Sequence, residues 1–172
     1  RVAMKLVLFS VGGGAITPGL LTARGVVSIE EATKSVAGPT PMDTMRGIID
    51  GWDALKGTLE DLNVHGAAEG MDAVKLHPPQ PRPGKMLCCI GNYWEHDADR
   101  EARPLNMFLK NPDAVIGPGD TVVLPEFTEP WIFMHEAELA IVIKGPAKNI
   151  AKEDWRDAVF GYTSMIDVTA RG

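Results

Sequence analysis

The chain has 172 residues, 45% of them hydrophobic and 23% charged, with a mean hydropathy of -0.03. That length and balance suit one domain, or one and part of a second, built on a real apolar core, and they exclude global disorder. Seventeen Lys and Arg against 23 Asp and Glu leave a formal charge of -6, which repels phosphate backbones and anionic lipid, so neither nucleic acid nor a membrane surface is an expected partner. No apolar run reaches the roughly 18–20 residues of a membrane span, and residues 4–9 are too short for a secretory signal, so a cytoplasmic setting is expected.

In chain order, residues 5–10 read as a strand and Gly12-Gly13-Gly14 as a flexible turn. The triple glycine is not followed by Lys-Ser or Lys-Thr and opens no periodic helix, so it is not a phosphate loop. Residues 19–22 and 25–29 form a hairpin turned at Ala23-Arg24. Over 44–62 the apolar positions Ile48, Trp52, Leu55, Leu59 and Leu62 step by four, three, four and three, which predicts one continuous helix with Asp43 as its N-cap and Trp52 on the packing face.

After Val74-Lys75-Leu76-His77 come four prolines within the seven residues 78–84, an extended joint poor in backbone donors. This marks a boundary between a small N-terminal domain, 1–77, and a second domain, 85–172. Beyond it the predicted strands are 86–90, 121–124, 134–143 and 161–169, with a short helix over 152–159 whose N-cap lies near Asn149. The expected fold class is therefore α+β, mainly β with some helix. Cys88 and Cys89 are adjacent in a strand and point to opposite faces, so they read as free, buried thiols rather than a disulfide.

The chemistry concentrates in acids. On the strand 134–143 the alternation of side chains puts Glu136 and Glu138 on one face, about 7 Å apart at their Cβ atoms. Asp167 lies inside a second β-rich run. Carboxylates on apolar strands repel one another and resist burial unless something positive sits among them, and a hard divalent cation is the simplest answer. Zinc is a poor guess, because no His/Cys set has ligand spacing and His135 alternates to the other face, as a structural or supporting residue.

Four segments together resemble the fumarylacetoacetate hydrolase family over about residues 73–172: Lys85-Met86-Leu87-Cys88-Cys89-Ile90-Gly91-Asn92-Tyr93-Trp94-Glu95-His96; Phe108-Leu109-Lys110 with Ile116-Gly117-Pro118-Gly119-Asp120; His135-Glu136-Ala137-Glu138-Leu139-Ala140; and Asp167-Val168-Thr169-Ala170-Arg171. The E-x-E pair followed 29 residues later by Asp167 is the most specific of these features. The resemblance implies the first part of a β-roll over 85–172, behind a small variable domain. It implies a homodimeric, metal-dependent enzyme acting on 2-oxo acids of the acylpyruvate type by C–C bond hydrolysis, with a developing enolate stabilised by the cation. Isomerisation or decarboxylation of hydroxy-dienoate or oxo-dicarboxylate intermediates of aromatic catabolism is the alternative reaction. A non-catalytic domain that keeps a structural metal site is the alternative of another class.

Carried over by motif, Glu136, Glu138 and Asp167 are the metal ligands, for Mg²⁺ or Mn²⁺ with Ca²⁺ as a third candidate. His96, in N-Y-x-x-H, is the general base, and Lys110, in F-x-K, lies near the pocket mouth, where its ammonium would pair a substrate carboxylate. The acid that orients the histidine is commonly Glu three residues on; here that place holds Asp99, with Glu101 close behind as the other candidate. Gly91 directly precedes Asn92, and Gly172 replaces the acid usually found after the Ala-Arg pair. In the family the roll, with a further active-site lysine, continues past the position of Gly172. The charged segment from about Trp94 to Pro104 has no apolar stripe to pin it and is expected to be a mobile lid.

Overall fold

The computed structural model describes residues 3–93, 104–124, 126 and 132–171. Its first sheet has five antiparallel strands in the order β4-β3-β2-β1-β5, formed by β1 (Leu6–Val11), β2 (Thr17–Thr22), β3 (Gly25–Ser28), β4 (Ala68–Glu69) and β5 (Val74–His77). The β2–β3 hairpin turns at Ala23-Arg24, as the sequence predicts. Gly25 closes it at φ 127°, and a Cβ there would meet the Glu69 carbonyl oxygen at 2.0 Å, so only glycine lets β4 approach.

Three helices, α1 (Glu30–Thr33), α2 (Pro41–Asp50) and α3 (Trp52–His65), pack on this sheet. Leu8, Leu20 and Val27 from the strands meet Met45, Ile48, Leu55 and Leu59 from the helices, all of them buried. The continuous helix expected over 44–62 is in fact two helices that meet at Gly51. There the Gly51 N–H bonds both Gly47 and Ile49 carbonyls, tightening and ending the first helix. The apolar spacing runs through this break in phase, which is why periodicity alone does not reveal it.

The N-cap of α2 is Thr40, not Asp43. Thr40 Oγ1 accepts from the Asp43 N–H at 3.1 Å and donates to Asp43 Oδ2 at 2.5 Å, with Pro41 as the first helical residue. Asp43 thus serves as the third helical residue of a reciprocal cap.

Past the proline joint the strands form two antiparallel ribbons. One pairs β6 (Met86–Cys89) with β7 (Met107–Lys110), and the other pairs β8 (Ile132–Ile143) with β9 (Val159–Arg171). No strand forms at 121–124; the β-branched residues there have no ladder partner among the described residues, and Val123 is 85% exposed. The predicted short helix is a 3-10 segment, Lys152–Ala158, whose N-cap is Ala151 rather than Asn149, which sits at φ 56°.

Charged and aromatic contacts cross the joint or start from it. Lys75 Nζ donates to Asp120 Oδ1 at 3.1 Å, Arg82 makes a two-pronged ion pair with Asp113, and Trp52 meets Phe160 edge to face at 5.1 Å. Asp120 also accepts from the Gly117 N–H at 2.9 Å; that bond first, and Lys75 second, hold its carboxyl below the usual carboxylate range.

Candidate functional site

The β8–β9 ribbon decides which side chains can meet. Its register sets Glu136 directly opposite Asp167 and Glu138 opposite Met165. Residues directly opposite in an antiparallel pair share a face, as do residues two apart on a strand, so all three carboxylates lie on one side. Exposure follows the same alternation: Met134, Glu136, Glu138, Ala140 and Val142 are half-buried, whereas His135, Ala137, Leu139, Ile141 and Ile143 are exposed. His135 therefore lies on the face away from the acids.

The second ribbon supplies the partners. Met86 pairs with Lys110 and Cys88 with Phe108, which puts these four side chains on one face of β6–β7. From that face the Lys110 ammonium forms an ion pair with Asp167 Oδ1 and donates to the Val168 carbonyl at 3.2 Å, passing over the Phe108 ring at 5.9 Å from its centroid. Asp167 is only 4% exposed, and an ionised carboxylate that deep requires such a counter-charge. On the neighbouring strand position, Thr169 Oγ1 donates to Glu136 Oε2 at 3.0 Å.

Cys88 sits against the same face. Burial pushes its thiol up; the Lys110 charge pulls the other way, and Glu138, Cys89 and Glu136 add to the rise. A nucleophilic thiolate is not favoured there. At the far side of Glu138 the Leu139 N–H donates to Tyr93 Oη at 3.0 Å, a second tie between the two parts of the site.

Three carboxylates on one face, one of them paired with an ammonium, make an electron-rich face of hard oxygen donors, the chemistry that suits Mg²⁺, Mn²⁺ or Ca²⁺ rather than a soft metal. They share a face without sharing a coordination sphere: among the described residues no three His, Cys, Asp or Glu side chains converge as a ligand set. Asp167 is turned onto Lys110 and Glu136 accepts from Thr169. A cation taken up here would need Lys110 to release Asp167.

His96, Asp99 and Glu101 lie outside the described residues, as does most of the expected lid. Lys110 is brought to the acids, on Asp167 itself. Sequence reasoning did not single out Thr169 or Tyr93. The period of two that groups Glu136 with Glu138 also groups Thr169 with Asp167, so the first was within reach of the pattern; the reach of the Tyr93 hydroxyl to a backbone amide was not.

Residues 85–172 match the profile of the fumarylacetoacetate (FAA) hydrolase C-terminal family. An oxaloacetate tautomerase of Bacillus subtilis is 43% identical over 108 residues, covering 59% of this chain and 35% of the relative. The homoprotocatechuate catabolism bifunctional isomerase/decarboxylase of Escherichia coli is 32% identical over 136 residues, covering 76% of this chain and 30% of the relative. Among solved structures, maleylpyruvate hydrolase from Sphingobium sp. SYK-6, in complex with manganese(II) and pyruvate, superposes with a TM-score of 0.81 at 31% identity, over 99% of this chain and 60% of that one. The chain thus spans about a third of these two curated relatives and three fifths of the solved hydrolase.

Proposed function

This chain belongs to the fumarylacetoacetate hydrolase family, and we propose from that membership that Glu136, Glu138 and Asp167 hold one divalent cation in an enzyme acting on a small 2-oxo acid. The observation that carries the reading is the β8–β9 register, which sets Glu136 against Asp167 with Glu138 on the same face. When bound, the cation supplies Lewis-acid polarisation of the carboxylate and carbonyl oxygens of the 2-oxo acid. Mg²⁺ and Mn²⁺ both suit the donor set, and the manganese and pyruvate in the maleylpyruvate hydrolase structure support a divalent ion beside an oxo acid.

The chain's own residues carry the rest. Lys110, released from Asp167, pairs the substrate carboxylate as a point charge. His96 moves the proton as general base, with Asp99 or Glu101 orienting its imidazole. The first reaction proposed is hydrolysis of a C–C bond in an acylpyruvate. Isomerisation or decarboxylation is the second, favoured by the names of the Escherichia coli and Bacillus subtilis relatives. The reading includes a cytoplasmic homodimer; among the described residues no helix is long and apolar enough to cross a membrane.

Turnover of an acylpyruvate by the full-length protein with Mn²⁺, abolished by chelator, tests the reaction. Keto–enol conversion or decarboxylation without cleavage would select the second reading. Metal binding with no turnover of any 2-oxo acid would leave a domain that keeps its metal as a structural staple.

A further inference from the structure

Tyr93 makes a hydrogen bond that the proposed chemistry does not use. Its hydroxyl accepts from the backbone N–H of Leu139, the residue that follows Glu138 in β8, at 3.0 Å. Among the described residues β8 pairs with β9 alone, and a two-stranded ribbon is a soft element. The backbone bearing Glu138 would therefore fluctuate unless tied from outside.

Away from the Trp52–Phe160 contact at the other end of the ribbon, two ties among the described residues flank Glu138, both from the β6–β7 side. Lys110 fastens β9 at Asp167 and at the Val168 carbonyl. Tyr93, four residues past the end of β6, fastens β8 at Leu139. Leu139 lies opposite Ser164 and Glu136 opposite Asp167, so the two ties straddle Glu138 along the ribbon. Cys88, on β6 itself, shares the face from which Lys110 reaches Asp167, so these ties act where the two ribbons already meet.

We infer that Tyr93 is a positioning residue: its hydroxyl fixes the backbone at Leu139, and through it the carboxylate of Glu138, for cation binding. The inference rests on the metal reading above and deepens it. Tyr93 is 50% exposed, so removing its hydroxyl leaves no buried cavity and the fold should tolerate it. Tyr162 on the same ribbon is 56% exposed and lies opposite Ile141, on the face away from the acids, so Tyr162→Phe is a matched control.

The test is calorimetric titration of Mn²⁺ into the full-length protein, its Tyr93→Phe variant and the Tyr162→Phe control, with amide hydrogen exchange at Leu139 measured on the same metal-free samples. The expected result is a loss of affinity of about 2- to 10-fold in Tyr93→Phe, the worth of one net hydrogen bond, with faster exchange at Leu139 and no change in the control. A purely structural role would lower the melting temperature and leave Mn²⁺ affinity alone. Unchanged Mn²⁺ affinity in Tyr93→Phe, or unchanged exchange at Leu139, overturns the inference. A wild-type protein that takes up no Mn²⁺ while Leu139 loses protection in the variant would overturn the metal reading, and this role with it, while leaving the tie itself in place.

Discussion

Lys110 and Asp167, 57 residues apart in sequence, form the ion pair at the centre of the acid face, joining a carboxylate that is 4% exposed to an ammonium that is 23% exposed. The pair holds the two ribbons together and compensates a buried charge. Removing one partner of such a pair leaves the other buried and uncompensated. Lys110→Met should therefore destabilise the metal-free protein by about 2 kcal/mol, below the roughly 3–5 kcal/mol of a fully buried pair because Lys110 keeps some solvent. Mn²⁺ should then raise the melting temperature of Lys110→Met more than that of the wild type. Equal Mn²⁺ stabilisation of both proteins, measured by calorimetry, would show that the ammonium and the cation do not compete for Asp167.

The face itself was legible in the sequence. Alternation along β8 groups Glu136 with Glu138, and the family motif adds Asp167; what the sequence does not state is the register that sets Glu136 against Asp167, since that depends on how two strands pair. The break at Gly51 was not legible, because the apolar stripe of α2 and α3 keeps its phase across it. The strand expected at 121–124 is absent for a different reason: Thr121, Val122 and Val123 have the propensity, but a strand also needs a neighbour, and none pairs with it among the described residues. The contacts of Lys110, Thr169 and Tyr93 belong to tertiary packing, which places each hydroxyl or ammonium against a group far away in the chain.

The contacts of Asp120 with the Gly117 N–H and then with Lys75 should depend on pH in a set direction. Its carboxyl titrates below the ordinary range in the folded protein, so the stabilisation is fully present above the ordinary carboxylate pKa and is lost as pH falls through the depressed value. Asp120→Asn should melt below the wild type at neutral pH, with the gap closing as pH drops below about 4. Melting curves across that range check it, and a gap that stays constant into stronger acid would contradict the linkage.

His96 is proposed to act on a proton without touching the cation. His96→Ala should lower kcat by roughly 10²- to 10⁴-fold on the true substrate while Mn²⁺ affinity stays nearly unchanged. Steady-state kinetics and metal titration on the same preparation separate the two effects. A large loss of Mn²⁺ binding would instead make the imidazole a fourth ligand.

The central claim is that the acid face of the β8–β9 ribbon holds one divalent cation through Glu136, Glu138 and Asp167. Calorimetric titration of Mn²⁺ into the full-length protein, beside Glu138→Ala, measures it directly. One site of about unit stoichiometry, weakened roughly tenfold or more in the variant, is the predicted result. Glu138 is the decisive position because it shares the face with Glu136 and Asp167 but is not itself a partner in the Lys110–Asp167 ion pair. Mn²⁺ bound with the same affinity by wild type and Glu138→Ala would contradict the claim.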